Sequence, residues 1–317
     1  MLKIFSNNKP IVLVLLPIIL IAHYILELNF NYFLEGNNSD TNITGLSFNF
    51  FPPFGNYFAL LLLCCNAIFL NFIFNSHEFW MKSNYLPSFI YILLNLYFPH
   101  AIYFTGELLA QSFVLLILHH LYTLNQQEDA RKKSFNIGLF LGLAGLCNPL
   151  YLFLLPSIML SIKFIRPFIF REYFLLIIAL LLPFVYLIIF QVDVFDRIFT
   201  LLNKFEYSDS KIINFSVFMT VTGLIAIFAL FGLIQKSKTS SIRFKKLRNI
   251  TLSFIIFLSL AIGISLLFGG SVYYCGMLVV PLSFILPYAY LSLKVKGLIE
   301  VLTLTIILIS IAKFFVY

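Results

Sequence analysis

Apolar runs of about 20 residues recur along this chain from residue 11 to residue 316, separated by short polar stretches. At ~1.5 Å of rise per helical residue, one such run spans the ~30 Å hydrocarbon core of a bilayer. Inside lipid every backbone amide must find its partner within the chain, which leaves helices or a closed barrel. The runs lack the period-two alternation of barrel strands, so an all-α, polytopic transmembrane fold is expected. With 61% of residues hydrophobic and 11% charged, a soluble fold would have no means of hiding this much apolar surface.

The runs predict about nine spans, near 11–28, 56–74, 86–104, 106–122, 172–190, 213–234, 250–268, 272–290 and 298–316, within a single membrane domain covering 1–317. Lys3 and Lys9 precede the first span, which ends in Leu26, Glu27, Leu28 and Asn29 without the small residues of a cleavage site. It reads as a retained helix with a cytoplasmic N-terminus. The following segment, 29–55, holds Glu35 and Asp40 but no Lys or Arg and reads as an extracytoplasmic loop. Its aromatic stretch from Phe48 to Phe54 around Pro52 and Pro53 suits the outer leaflet.

Segment 135–162 behaves differently. Arg131, Lys132 and Lys133 precede it, and Lys163, Arg166 and Arg171 follow it, so both flanks favour the cytoplasm. Gly142, Gly145 and the Asn148-Pro149 step interrupt it, leaving halves of about 13 residues, each too short to cross alone. Broken or re-entrant helices that enter and leave on the cytoplasmic side satisfy both facts. Under this reading 17 of the 21 Lys and Arg residues are cytoplasmic, leaving Arg197, Lys204, Lys211 and Lys313 outside. The largest basic cluster, from Lys236 to Arg248, becomes a cytoplasmic loop at 235–249 that can lie on anionic headgroups.

The net charge of +8 does not indicate a nucleic-acid partner, because the basic residues fall between spans rather than along one face. Cys64, Cys65, Cys147 and Cys275 lie inside apolar runs without metal-ligand spacing and read as buried thiols. His77-Glu78 is followed by Phe79, Trp80 and Met81, with no second histidine at helical spacing, so no metal and no cofactor is expected. Trp80 and Tyr85 suit headgroup level. His119 and His120, near the cytoplasmic end of their run, read as interfacial.

The stretch from His77-Glu78 to Pro87, together with Arg166-Pro167 and Arg171-Glu172, resembles an uncharacterised family of polytopic inner-membrane proteins from Bacteroidota, a domain of unknown function. That resemblance implies a multi-pass protein of a bacterial inner membrane, with lipid as a partner. More loosely, Gly138, Gly142, Leu143, Ala144, Leu146 and Pro149 resemble the membrane core of GT-C glycosyltransferases. This second resemblance implies transfer of a sugar from a polyprenyl-phosphate carrier on the extracytoplasmic side, by an acidic residue just after the first span. The chain departs from that pattern in having Glu27, Glu35 and Asp40 singly rather than as a pair.

Ionisable groups at membrane depth cost about 2.5–3.5 kcal/mol at a helix centre and are functional candidates for that reason. His23 and Glu27 are four apart on the first helix and share a face. His100 and Glu107 flank the outer turn between the third and fourth spans, Gln111 lies one turn below Glu107, and the Asn148-Pro149 tip can reach the same level. The expected site is an outward-facing pocket with Glu27 or Glu107 as general base and His23, His100, Gln111, Asn148 and Arg197 as substrate-binding groups. Three functions stay open: a GT-C-like transferase, a non-catalytic membrane scaffold or assembly partner, and a small-molecule transporter. The last would carry inverted repeats around a midplane site.

Overall fold

The computed structural model describes residues 2–6, 10–30, 54–98, 101, 103–124, 129–189, 209–267, 272–293 and 296–314. Among these, all regular structure is helical. The helices are α1 (Leu2–Phe5), α2 (Leu15–Phe30), α3 (Phe54–Ser76), α4 (Leu86–Asn95), α5 (Gly106–Tyr122), α6 (Arg131–Cys147), α7 (Leu154–Ile165) and α8 (Phe170–Ile189). The second half holds α9 (Asp209–Lys238), α10 (Ile242–Leu267), α11 (Val279–Ile285), α12 (Pro287–Ser292) and α13 (Lys296–Ala312). Tight 3₁₀ turns lead into α2 (Pro10–Val14), α7 (Pro149–Phe153) and α11 (Val272–Leu278).

Among the described residues, six helical stretches are long and apolar enough to cross a membrane: Val12–Phe30, Gly55–Ser76, Phe170–Ile189, Phe215–Lys238, Ile242–Leu267 and Tyr273–Ser292. Their outward faces carry exposed apolar side chains such as Leu28, Phe72, Ile188 and Phe231. In water that exposure would be costly; in lipid it costs nothing.

Cross-helix contacts fix the directions of the chain. Asn66 Nδ2 donates to Ser112 Oγ at 2.9 Å and Phe69 packs beside His119, so α3 and α5 run parallel. Glu107 meets Asn148 while Lys133 Nζ donates to the Thr123 carbonyl at 2.6 Å, so α5 and α6 run antiparallel. Ser157 bonds Ser253 and Lys246 Nζ bonds the Ile165 carbonyl, so α7 and α10 are antiparallel too. Gly138 lies against Leu176, and Gly142 against Leu180 and Pro183, which makes α6 and α8 parallel neighbours whose backbones nearly touch. Small residues allow such an approach, and in a membrane close van der Waals packing is a main source of helix association.

Two ends of the bundle follow. At one, the Tyr85 amide donates to Phe5 O at 2.9 Å, Arg243 meets His77, and Tyr288 donates to Phe79 O at 2.6 Å. Trp80 packs against Tyr288 and beneath the Lys236 ammonium. Among the described basic residues, those from Lys3 to Lys296 belong to this end, except Lys211 at the start of α9. The turn after α3 is a Schellman closure: Phe79 N–H bonds Phe74 O, Glu78 N–H bonds Asn75 O, and the Phe74 and Phe79 rings stack at 5.2 Å. The left-handed position that glycine usually takes is held by Glu78, with φ of 56°.

Three local expectations need correction. The basic cluster at 235–249 is not a loop: α9 continues to Lys238 and α10 starts at Ile242, leaving a turn of three residues. Lys and Arg are good helix formers, and their charges sit at the ends of long helices without breaking them. The chain does break at Asn148, but the arms are longer than the apolar run suggests, with 17 residues in α6. Arg131–Ser134 extend it because polar residues propagate a helix as well as apolar ones do. Cys65 is exposed on the outward face of α3, and Cys64 is partly buried, while Cys147 and Cys275 are buried. The expected loop at 29–55 falls mostly on 31–53, outside the described residues.

Candidate functional site

At the end opposite the basic one, three ionisable groups from two elements are buried together. His23 and Glu27 lie one turn apart on the inward face of α2, and Lys313 follows the last turn of α13; they are 5%, 2% and 1% exposed. Lys313 Nζ donates to Leu96 O at 2.7 Å and reaches Tyr97 O at 3.4 Å. These carbonyls terminate α4, where the helix dipole is negative and the last C=O groups have no helical partner, so the ammonium satisfies both needs. It also sits over the Phe314 and Tyr97 rings, at 4.9 and 5.6 Å from their centroids. Glu27 lies within electrostatic reach of Lys313, and the Tyr103 hydroxyl hydrogen-bonds Glu27. The His23 ring packs against Phe314 at 5.2 Å, and its Nε2 is buried with no hydrogen-bond partner.

A second network surrounds Glu107, in the first turn of α5. Tyr151 donates its hydroxyl to Oε1 at 2.6 Å, and Asn148 Nδ2 donates to Oε2 at 2.9 Å. Asn148 can present only its nitrogen there, because its Oδ1 accepts from the Leu150 N–H at 3.1 Å and caps the turn that starts at Pro149. The break in the helix therefore aims a donor at the acid. One turn further along α5, Gln111 Nε2 donates to the Gly276 carbonyl at 3.2 Å and to Asn95 Oδ1 at 3.3 Å, while its Oε1 accepts from the Tyr91 hydroxyl at 2.7 Å. Since the Gly276 carbonyl can only accept, the amide orientation is fixed.

The structure thus places Glu107, bonded to Asn148, and Gln111 one turn apart on α5 in one group, and Glu27 with His23 in another. The two flank the C-terminal end of α4: Asn95 faces the first, and the Leu96 and Tyr97 carbonyls face the second. Tyr103, four residues before Glu107, links them along the chain. Neither the small apolar cavity beside Leu93 nor the cleft beside Lys163 is lined by Glu27 or Glu107. His100 and Arg197 lie outside the described residues. Lys313, Tyr103, Tyr151, Tyr91 and Asn95 were not among the candidates read from sequence. Lys313 carried a signal, being an ionisable residue inside the last apolar run, but orientation charge counting treats it only as an outside residue.

At the basic end, Arg243 Nη2 lies 3.4 Å from His77 Nδ1. A guanidinium can only donate, so Nδ1 accepts and the His77 proton is on Nε2. Burial, then the charges of Arg243, His119 and Lys133, push the His77 imidazole down to about 4. His119 packs against Phe69 and Phe72, and His120 stacks on Phe140, so neither presents a ligand cluster. Among the described residues no three His, Cys, Asp or Glu side chains gather for a metal ion. Arg166 and Glu172, at the corner between α7 and α8, form a buried ion pair at 3.2 Å.

The fold and this site define a helical membrane protein with a charged cluster buried at one end of its bundle. Comparison with protein-family profiles, with curated proteins and with solved structures returned no match.

Proposed function

We propose that this protein is a GT-C-like glycosyltransferase, which moves a sugar from a polyprenyl-phosphate carrier to an acceptor hydroxyl at the end of the bundle where Glu27 lies. The observation that supports this reading is the burial of a carboxylate, an ammonium and an imidazole together at membrane depth, where ionisable groups are too costly to be incidental. In the proposed step Glu27 takes the proton of the acceptor hydroxyl, whose oxygen bonds to the anomeric carbon as the bond from that carbon to the phosphate breaks. Lys313 supplies a donor to the phosphate that leaves, and His23, whose ring bonds the Leu96 backbone, lines the same site as a substrate-binding group. Glu107, held by Tyr151 and Asn148, orients the adjoining ends of α5 and α6. His100 and Arg197 keep their proposed substrate-binding roles.

The membrane is the bacterial inner (cytoplasmic) membrane, with the basic end and the N-terminus cytoplasmic. The chain crosses it nine times and adds a hairpin of α6 and α7 that enters and leaves from the basic end. The one-sided distribution of Lys and Arg supports this orientation.

Transfer of labelled sugar from a polyprenyl-phosphate carrier by purified protein in liposomes is the test. Glu27→Gln removes the base without altering shape, and should cut the rate by about 10²–10⁴ while the unfolding temperature stays unchanged. Wild-type transfer by that variant would overturn the assignment. A second reading, a non-catalytic scaffold, draws on a specific observation: both oxygens of Glu107 are taken by protein donors, as a purely structural carboxylate would be. Under it, wild-type protein transfers nothing, and Glu27→Gln lowers only stability.

A further inference from the structure

At the basic end, far from the cluster around Glu27, α7 and α8 leave their shared corner in different directions. α7 packs on α10, held by Ser157 and Ser253 and by Lys246 at the Ile165 carbonyl. α8 instead packs on α6, drawn in by Gly138 and Gly142. The wedge left between them is a cleft of about 510 Å³, inside the range of roughly 300–1,000 Å³ usual for small-molecule sites. Its walls are Met159, Leu160 and Lys163 from α7, Phe168 from the corner, and Phe170, Tyr173, Phe174 and Ile177 from α8.

The lining has two chemically distinct parts. On α8 the residues at 170, 173, 174 and 177 follow helical spacing and make one apolar stripe. The Phe168 and Tyr173 rings pack at 4.6 Å, and the Tyr173 hydroxyl bonds across to the Met159 carbonyl at 3.3 Å, closing the back of the wedge. Lys163 is the one charged lining residue, and it is exposed. Arg171, also exposed, stands in the first turn of α8. The nearby carboxylate, Glu172, is buried and committed to Arg166, and no other described carboxylate pairs with Lys163. An apolar slot that opens under uncompensated positive charge matches an amphiphile with a negative head.

We propose that this cleft binds one anionic phospholipid, its acyl chain against Phe170, Phe174 and Ile177 and its phosphate at Lys163. Ordinary boundary lipid lies against a convex helix face, whereas here the chain lies in an open wedge backed by the Phe168 and Tyr173 rings. The phosphate replaces the water that Lys163 would otherwise hold at headgroup level, where a basic residue and an anionic lipid attract each other. The site is distinct from the proposed transfer site in place and in chemistry, so either can fail alone.

The test is native mass spectrometry of the full chain, purified in detergent and incubated with phosphatidylglycerol or with phosphatidylcholine of the same acyl composition. One phosphatidylglycerol should be retained in preference to phosphatidylcholine. Lys163→Gln should lower that preference about fivefold, the effect of losing one basic residue at a headgroup. Ile177→Trp fills the slot and leaves Lys163 in place, so it should remove the bound lipid altogether. Inorganic phosphate at millimolar concentration should not displace it, because the acyl chain supplies most of the contact. Equal retention of the two lipids, or undiminished retention by Ile177→Trp, or displacement by inorganic phosphate, would each overturn the proposal.

Discussion

Replacing Gly138 by Ala should weaken the protein, whereas the same change at Gly223 or Gly263 should strengthen it. A Cβ at Gly138 would fall well inside contact distance of the Leu176 carbonyl oxygen, and 3.0 Å from the Ala179 Cβ. At Gly142 the corresponding carbonyl, that of Leu180, is 2.6 Å away, about 0.8 Å short of the ordinary 3.4 Å limit. These obstacles are backbone atoms and cannot rotate aside, so α8 must move away from α6 along much of its length. Overpacking of this kind costs about 1–3 kcal/mol, offset in part by about 1 kcal/mol from the better helix propensity of Ala. A net loss of up to about 2 kcal/mol is expected for Gly138→Ala, and more for the double change with Gly142. Gly223 on α9 and Gly263 on α10 have open space where a Cβ would sit, so only the propensity gain remains, about 0.5–1 kcal/mol. Reversible unfolding in mixed detergent and SDS micelles measures all four variants against wild type. If Gly138→Ala is as stable as Gly263→Ala, the close pairing of α6 with α8 is wrong.

Two further outcomes can be checked on the same purified protein. Glu78 pays for a left-handed backbone that glycine adopts freely, so Glu78→Gly should raise unfolding stability by about 0.5–1 kcal/mol while Glu78→Ala gains nothing; equal effects of the two would remove backbone strain as the cause. His77 is held down to about 4, against 6.5 for a free imidazole, so the unfolded chain takes up its proton first. Its contribution is full above about pH 6.5 and is lost as pH falls from there through about 4, because the unfolded state then binds more protons. Thermal unfolding between pH 7.5 and pH 4 should therefore slope downward in wild type and be flatter in His77→Gln, and parallel profiles would count against burial of this ring.

The sequence by itself determined the all-helical class and pointed to lipid as the solvent. Runs of apolar residues without alternation admit only helices in lipid, and the Asn148-Pro149 step marks a helix boundary because proline restricts the residue before it and suits the first helical position. Candidate residues at depth were legible for the same reason: a charge such as Glu27 stands out against an apolar background. Partnership was not legible. Nothing in the spacing of Glu27 and Lys313, separated by nearly the whole chain, indicates that they come within electrostatic reach of each other, and nothing around Glu107 singles out Tyr151 from 17 tyrosines. Helix ends shifted also, since Lys236 to Arg248 read as a loop by charge yet lie mostly in helix. Helix pairing depends on which small residues meet across space, as Gly138 and Gly142 do with α8, and a linear pattern holds no record of that. The wedge beside Lys163 is likewise a product of tertiary packing, opened because α7 and α8, adjacent in sequence, are each held by a different neighbour.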